Sequence, residues 1–239
     1  MIRLDKLLSN LGYGSRKEIT GWARAGRVTD LAGQPLRRAA DKVDPALVRF
    51  DGQSLDPLEL MLILNKPSGY TCSHRDKPPL VYEILPPRYA FREPTLSCVG
   101  RLDKDTTGAL LLTDHGQFLH RLTSPNWKLP KVYQVDTSGP VTEAQVARLA
   151  EGGWLLPGDD KPLAPAECRQ TGERTLELTL IEGRYHQVKR MLEEVGNPLL
   201  RLHRQSFAGL TVEGLEPGEW RPLTEEERAH LMALCDLER

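Results

Sequence analysis

Apolar residues near the start of the chain recur at the spacing of an α-helix. Four leucines follow the i, i+3, i+4, i+7 pattern that places side chains on one helical face: Leu4, Leu7, Leu8 and Leu11. Ser15 and Glu18 form the Ser-x-x-Glu pattern of a capping box, which predicts a second helix that runs to about Arg24. Beyond this helix, short strands are expected at Val28 and at residues 47–50.

The rest of the chain combines short apolar strands with amphipathic helices. Residues 61–65 form a continuous apolar run typical of a buried strand, whereas residues 174–182 alternate leucines with polar residues, as in a half-buried antiparallel strand. Further strands are predicted at residues 131–137 and 164–170, and helices at residues 116–122, 142–151 and 185–195. Because the strands and helices do not alternate regularly, the pattern predicts an α+β fold with a mixed, mainly antiparallel sheet.

Composition and charge indicate two modules. The 239 residues are 39% hydrophobic and 27% charged, as in ordinary globular domains, and a polar stretch without periodicity, residues 51–60, is predicted to link residues 1–50 to residues 61–239. The net charge of −1 excludes a uniformly basic coat, but residues 1–38 carry eight basic and three acidic side chains. A basic end of this size can bind phosphate, and a solvated helix face is the alternative.

The cysteines and the apolar runs limit the cellular context. The 4 cysteines lie tens of residues apart, without a Cys-x-x-Cys or paired-histidine pattern, so neither a zinc site nor a disulfide framework is indicated. The N-terminal segment lacks a signal-peptide region, and no apolar run is long enough to span a membrane. We therefore expect a cytoplasmic protein with reduced thiols and no metal, and a monomer because no spare apolar helix is evident.

Several common catalytic motifs are absent. The sequence contains no G-x-x-x-x-G-K-[ST] phosphate loop, no G-x-G-x-x-G after a strand, no H-E-x-x-H and no G-x-S-x-G. Nucleotide hydrolysis, nicotinamide chemistry, zinc proteolysis and lipase-type acyl transfer are therefore disfavoured.

Residues 100–113 form a distinctive polar segment followed by an apolar run. Asp103 and Asp105 flank Lys104 and precede Gly108, so both carboxylates are expected on a loop beside a strand, where scaffolds commonly display reactive groups. The alternative is a turn whose aspartates bond to local backbone amides, which is the commoner outcome for an arbitrary Asp-x-Asp sequence. A metal pair is disfavoured because no further carboxylates complete a ligand shell.

A second polar segment, residues 182–191, places cations on a predicted helix. His186 and Lys189 lie one turn apart on the face away from the apolar stripe, which consists of Val188, Met191 and Leu192. Cations at such a strand-to-helix junction can hold a carboxylate or a phosphate, and a solvated helix face is equally compatible with the pattern.

Four segments occur in the same order in the pseudouridine synthases that modify ribosomal RNA. They are Lys66-Pro-Ser-Gly-Tyr70, residues 100–113, Lys131-Val-Tyr133 and residues 182–191. The chain resembles, nearly end to end, the bacterial ribosomal small subunit pseudouridine synthase A family. Residues 1–50 are similar to the alpha-L RNA-binding motif that this family carries ahead of its catalytic domain.

This resemblance implies an enzyme that isomerises uridine to pseudouridine in 16S ribosomal RNA, free or in a small-subunit assembly intermediate, with uridine 516 as the expected target. It implies neither a metal nor an organic cofactor. The base would be detached from the sugar, rotated and rejoined through ring carbon 5. Such chemistry needs a carboxylate beside the sugar and a pocket that retains the base.

The resemblance also implies roles for single residues. Asp103 matches the family's essential aspartate, Tyr133 the residue that stacks on the flipped base, and Lys189 the basic residue that pairs with the catalytic carboxylate and keeps it ionised. Whether Asp103 attacks the sugar, attacks the base or abstracts a sugar proton stays open. The residues expected to contact RNA are Arg3, Lys6, Arg16, Lys17, Arg24, Arg27, Arg101, Arg184, His186 and Arg190.

Two other functions stay compatible with the sequence. The same chemistry on large-subunit ribosomal RNA is disfavoured by residues 185–187 and 202–204, which are more similar to the small-subunit enzymes. A non-catalytic RNA-binding assembly factor is disfavoured because Asp103, Tyr133 and Lys189 are all in place.

Overall fold

The computed structural model describes residues 1–236, which divide into two compact units. The first unit contains Met1–Met61, Tyr82–Ser97 and Leu112–Gly116; the second contains Leu62–Val81, Cys98–Leu111 and the described residues from Gln117 onward. The expected linker, residues 51–60, thus falls within the first unit. The division into modules of residues 1–50 and 61–239 stays a prediction.

The first unit is built around two short helices. Helix α1 spans Leu4–Asn10 and helix α2 spans Arg16–Arg24, and the four leucines of the predicted stripe are buried. The predicted capping box is confirmed, since the Ser15 side chain accepts from the Glu18 N–H and the Glu18 carboxylate accepts from the Ser15 N–H. The strands of this unit are β1 Ile2–Arg3, β2 Val28–Thr29, β3 Lys42–Val43, β4 Arg49–Phe50 and β5 Gln53–Ser54, paired β1–β3 and β2–β4–β5.

The strand predicted at residues 47–50 is shorter than expected. Pro45 begins a 3-10 helix, Pro45–Leu47, and Asp44 caps it by accepting from the Ala46 N–H at 3.1 Å. Proline suits this first position because its missing N–H would have no helical partner there. Further 3-10 helices span Val81–Ile84, Pro87–Phe91 and Pro125–Trp127.

A nine-stranded sheet carries most of the second unit. Its strands are β6 Met61–Lys66, β7 Ser97–Cys98, β8 Thr107–Thr113, β9 Lys131–Thr137, β10 Glu167–Gly172, β11 Thr175–Leu180, β12 Leu199–Phe207, β13 Leu210–Thr211 and β14 Trp220–Pro222. The order is β10-β11-β9-β12-β8-β6-β14, with β7 beside β8 and β13 beside β12. Strands β8 and β12 are parallel, whereas β9, β10 and β11 and the pair β6–β14 are antiparallel to their neighbours. The predicted α+β class with a mixed, mainly antiparallel sheet is confirmed.

Four further helices accompany the sheet: α3 Gly116–Thr123, α4 Glu143–Glu151, α5 Gln187–Glu194 and α6 Glu225–Leu234. Helix α5 begins later than predicted because His186 adopts a left-handed backbone with φ of 50°. Strand β10 also begins later than predicted, since the Ala164 N–H donates to Glu182 instead and Pro165 has no N–H for a ladder. Within residues 1–236, no helix has the length and apolar character needed to cross a membrane.

Candidate active site

Asp103 lies on the loop between β7 and β8, as the sequence predicts. The loop turns through a hydrogen bond from the Thr106 N–H to the Asp103 carbonyl at 3.1 Å. Gly108, within β8, has φ of +100°, and a Cβ atom there would clash with the carbonyl of Arg204. Glycine therefore lets β8 approach β12 closely and sets the position from which the aspartate loop departs.

The side chain of Lys66 holds the same loop in place by binding backbone carbonyl oxygens. This residue ends β6 and is fully buried, and its ammonium donates to the carbonyl oxygens of Pro67, Lys104 and Thr106 at 3.1, 3.2 and 2.8 Å. Burial lowers the pKa of Lys66. The three carbonyls replace the water that a lysine normally binds and tie the loop around Asp103 to the end of β6. The sequence pattern predicts only a turn here, not this role.

Helix α5 presents two basic side chains to the Asp103 carboxylate. His186 stands at the N-cap position, and its Nε2 lies 3.4 Å from Asp103 Oδ1. Lys189 follows one turn later, with Nζ 3.2 Å from Asp103 Oδ2. The residues of the predicted apolar stripe are buried: Val188, Met191 and Leu192. The prediction of a two-faced helix is therefore confirmed, and its polar face meets the aspartate loop.

Lys189 lies closer to Asp105 than to Asp103. Its Nζ is 2.7 and 3.0 Å from the two carboxylate oxygens of Asp105. Burial raises the pKa of Asp105, but the hydrogen bond and the charge of Lys189, together with smaller contributions from a backbone hydrogen bond and His186, outweigh it, and the pKa falls below its usual value. Burial lowers the pKa of Lys189, but the two aspartates outweigh it and the pKa rises. Lys189 thus bridges two carboxylates, whereas the family resemblance implies a partner in Asp103 alone.

Tyr133 lies on β9 directly opposite Arg204 on β12 and is 8% exposed. It lines a cavity of about 640 Å³ together with Asp103, His186 and Lys189. Small-molecule sites typically enclose about 300–1,000 Å³, so the cavity has room for a nucleoside. The three residues expected to carry out catalysis are therefore brought together in one pocket.

The residues that line this pocket without a role predicted from the sequence include Lys131, Tyr185 and Arg204. Tyr185 is 79% exposed, and its ring stacks on that of His186 with centroids 3.8 Å apart and planes at 17°. Lys131 and Arg204 belong to segments that carry the family resemblance, which is the signal that could have identified them. A sequence shows that a cation is present but not that a pocket encloses it.

The other cations predicted near the site are held by carboxylates. Arg184 and Arg190 share Asp159, with nitrogen-to-oxygen distances of 2.9 and 2.6 Å, and each is 20% exposed. Arg101 is mostly exposed and lies 3.3 Å from Asp76. Arg101 and Arg184 line the pocket. Contact of these three arginines with RNA stays a prediction, and for Arg184 and Arg190 it would compete with the ion pairs to Asp159.

The predicted RNA contacts of the first unit are all exposed: Arg3, Lys6, Arg16, Lys17, Arg24 and Arg27. Arg3 donates to Asp5 at 2.7 Å, and Arg27 donates to Asp51 at 2.8 Å. The other four form no ion pair within residues 1–236. Their charges are available to a phosphate backbone.

The sequence of this chain is similar to those of known pseudouridine synthases. Residues 60–194 match the family model described as RNA pseudouridylate synthase. The chain is 41% identical to the ribosomal small subunit pseudouridine synthase A of Yersinia pestis, over 97% of this chain and 99% of the relative. It is 40% identical to the protein of the same name from Escherichia coli strain K12, over 97% and 100% of the two chains.

Two further similarities also extend along nearly the whole chain. An uncharacterized RNA pseudouridine synthase, YtzG, of Bacillus subtilis strain 168 is 40% identical over 97% of this chain and 98% of its own. Among solved structures, a crystal structure of a pseudouridylate synthase matches with a TM-score of 0.68 and 36% identity, over 97% of this chain and 100% of the other. The first unit and the second unit both fall within these matches.

Proposed function

The chain belongs to the RNA pseudouridylate synthase family, and from this premise we propose that it converts uridine 516 of 16S ribosomal RNA to pseudouridine. The observation that carries the proposal is one pocket in which the Asp103 carboxylate lies 3.2 Å from Lys189 and shares the lining with Tyr133. The relatives from Yersinia pestis and Escherichia coli, both named for the small subunit, support the choice of RNA.

Asp103 supplies the carboxylate that must stand beside the ribose. His186 and Lys189 each approach a different oxygen of this group, at 3.4 and 3.2 Å, so its orientation is set before RNA enters. A negative charge held in place stabilises the positive charge that develops on the sugar as the glycosidic bond weakens. The same carboxylate can act on the sugar or on the base.

Tyr133 offers an aromatic face to the flipped uracil. Stacking on an aromatic side chain contributes about 1–3 kcal/mol per base, which offsets much of the cost of removing the uridine from its own stack. Because Tyr133 is only 8% exposed, its ring is already held in position when the base arrives. The detached base is then retained while it rotates.

The exposed cations of the first unit are assigned to RNA placement. Lys6, Arg16, Lys17 and Arg24 stand on or beside two helices and can each neutralise a phosphate. The substrate is 16S ribosomal RNA or an assembly intermediate of the small subunit in the cytoplasm, and the enzyme acts as a monomer.

Mapping pseudouridine in ribosomal RNA tests this function. RNA from cells that lack the gene is compared with RNA from cells complemented by the wild-type protein or by Asp103→Asn. We expect pseudouridine at uridine 516 to disappear, to return with the wild type and to stay absent with the variant. Asp103→Asn keeps the shape of the side chain and removes its charge, so the purified variant should melt like the wild type yet form no product.

Other outcomes of the same experiment point elsewhere. Loss of pseudouridine only from 23S ribosomal RNA would assign the enzyme to the large subunit. An unchanged map with delayed subunit assembly would indicate a non-catalytic assembly factor. Product formation by Asp103→Asn near the wild-type rate would remove Asp103 from the catalytic role.

A further inference from the structure

Two basic side chains, Lys131 and Arg204, lie on the sheet side of the pocket. Lys131 stands two residues before Tyr133 on β9, and Arg204 is the cross-strand partner of Tyr133 on β12. Side chains two residues apart on a strand, and those directly paired across strands, share one face of a sheet. Both cations also lie over the ring of Phe207, 5.6 and 5.3 Å from its centroid, and both line the pocket.

Neither cation forms an ion pair with a carboxylate within residues 1–236. Arg204 is 2% exposed; its Nε donates to the Ala109 carbonyl at 2.7 Å, and its Nη2 has no hydrogen-bond partner there. The Lys131 ammonium donates to the Leu129 carbonyl at 2.8 Å. Burial lowers the pKa of Lys131 to about 8, with Arg204 lowering it further and Glu182 opposing them.

Retaining this pair of neighbouring cations costs folding free energy. Arg204 is buried without a counter-charge, which is unfavourable, and the like charge of the partly buried Lys131 beside it adds repulsion. Apolar side chains at both positions would avoid the cost. The pair is therefore explained best by a use for positive potential at this side of the pocket, while the Asp103 loop supplies negative charge from a different element.

We propose that Lys131 and Arg204 stabilise the negative charge on the uracil base as it leaves the sugar, with Lys131 in contact with a carbonyl oxygen of the base. The inference rests on the proposed function. When the bond between N1 of the base and C1′ of the ribose breaks, its electron pair stays with the base, and the charge spreads over O2 and O4. The base then bonds to C1′ through C5, loses the C5 proton and gains a proton at N1, which gives the isomer.

The arrangement of charge matches the two halves of the reacting nucleoside. The ribose becomes electron-poor, which suits the carboxylate of Asp103, and the base becomes electron-rich, which suits the two cations. Fixed charges that are shielded from water act strongly because they need no reorganisation as the reaction proceeds, and Arg204 is 2% exposed. Tyr133 lies on the same sheet face as both cations, so a base stacked on its ring would be within their field.

A variant series with two substrates tests the proposal. Lys131→Met keeps the length of the side chain and removes its charge. At saturating RNA, we expect single-turnover loss of the target uridine to slow by about 100-fold, as when one group that stabilises a developing oxyanion is removed. RNA affinity should change by less than about threefold, because phosphate contacts supply most of it. The target nucleoside is quantified in nuclease digests of the RNA.

The second substrate carries 5-fluorouridine at the target position. Because fluorine replaces the C5 hydrogen, the final loss of the C5 proton cannot occur, and only the loss of the fluorouridine is measured. Fluorine withdraws electrons from the ring, so the base leaves more readily and depends less on an external positive charge. The deficit of Lys131→Met should therefore shrink to about tenfold or less with this RNA, since a group acting on leaving-group charge matters less for a better leaving group. If Lys131 had a purely structural role, Lys131→Met would slow the reaction of both substrates by the same factor.

The controls use the same chain. Lys128→Met removes an exposed cation three positions away that does not line the pocket, and it should convert both substrates at the wild-type rate. Lys131→Arg restores the charge and should recover most of the lost rate. If Arg204→Met melts at the wild-type temperature, its rate deficit should also be smaller with 5-fluorouridine than with uridine. If Arg204→Met does not fold, the test rests on Lys131→Met alone.

The result that would overturn the proposal is a Lys131→Met enzyme with the wild-type rate, or with the same deficit on both substrates. Failure of the proposed function looks different, because the wild-type protein itself would then leave 16S ribosomal RNA unmodified. Modification of another ribosomal RNA by the wild type would change the substrate RNA used in the test and not its logic.

Discussion

Single residues in this site differ in whether their charge is balanced. Lys189 bridges Asp103 and Asp105, so its charge is balanced by carboxylates within the protein. Lys66 is fully buried and donates to three backbone carbonyls, which makes it a positioning group for the aspartate loop. Lys131 and Arg204 each donate to one backbone carbonyl and form no ion pair within residues 1–236, so we propose that they act on a bound substrate.

Removing the hydroxyl of Tyr133 separates its two expected functions. Tyr133→Phe keeps the stacking face, so RNA affinity should stay within about twofold of the wild type. Turnover should fall, because the hydroxyl can donate to or accept from the base while it is detached. Binding by filter retention and single-turnover pseudouridine formation give the two quantities, and Tyr133→Ala, which also removes the stacking face, is the control that should weaken both. Full turnover in the Phe variant would leave stacking as the only function.

The deprotonation of Lys131 should make the free energy of unfolding depend on pH. Burial lowers the pKa of Lys131 from 10.5 in the unfolded chain to about 8 in the folded protein. Between these values the unfolded chain binds the proton and the folded protein does not, so stability rises as pH increases from about 8 towards 10.5. Below pH 8 both states are protonated, and the contribution is constant and unfavourable.

Lys131→Met isolates this contribution because the other titrating groups are common to both proteins. The free energy of unfolding of the wild type, minus that of Lys131→Met, should stay level up to about pH 8 and then increase. Denaturant titrations at several pH values measure it. A difference that is flat from pH 7 to pH 10 would show that Lys131 is not a desolvated cation in the free protein.

Among the elements, those with a regular pattern or a cap were predictable. Strand β9 occupies the predicted residues 131–137, and helix α4 ends at Glu151 as expected. Strand β12 was not predicted, because its buried positions include Arg204 and Ser206, which break the alternation that would reveal a strand. Hydrophobic patterns reveal a strand only when its buried side chains are apolar. In β12 a buried position is the charged Arg204, which lines the pocket, so the feature that prevents the prediction of this strand also contributes to the site.

The close approach of β8 and β12 depends on Gly108. Gly108→Ala combines a strained φ of +100° with a clash against the backbone of Arg204, which cannot move as a side chain can. We expect destabilisation of about 3 kcal/mol or more and a large loss of activity, because the Asp103 loop departs from this strand. Gly21→Ala is the matched control: Gly21 lies within α2 with open space around it, and the change should stabilise by up to about 1 kcal/mol. Thermal melts compare the variants, and equal melting temperatures would contradict the packing argument.

Across the whole molecule, positive charge is concentrated at one end of the sequence. Residues 1–38 hold eight basic and three acidic side chains, although the protein as a whole has a net charge of −1. The catalytic candidates all lie in the second unit, whereas Arg16 and Lys17 lie in the first. Affinity for RNA and chemistry on the base are thus assigned to different parts of the chain, which predicts that they can be changed separately.

Reversing two charges in the first unit tests that separation. Arg16→Glu with Lys17→Glu removes two exposed cations from the first turn of α2, where acidic residues are favourable for the helix, so folding should not suffer. RNA binding should weaken at moderate salt, and the log–log slope of affinity against salt should flatten by about 0.7–0.9 for each phosphate that the protein no longer neutralises. KM should rise while turnover at saturating RNA stays near normal, because the pocket is untouched.

The opposing interpretation is that the first unit acts only as a structural cap, with its cations solvated. Under that interpretation the double variant would change the melting temperature and leave both RNA affinity and its salt dependence as they are. Neutralising the same positions with Arg16→Gln and Lys17→Gln adds a graded comparison, because the decrease in counterion release should be similar while the added repulsion of two glutamates is absent. If the glutamine variant binds RNA more weakly and the slope flattens with it, phosphate binding is the cause. If affinity survives in both variants, residues 1–50 do not dock RNA through this helix.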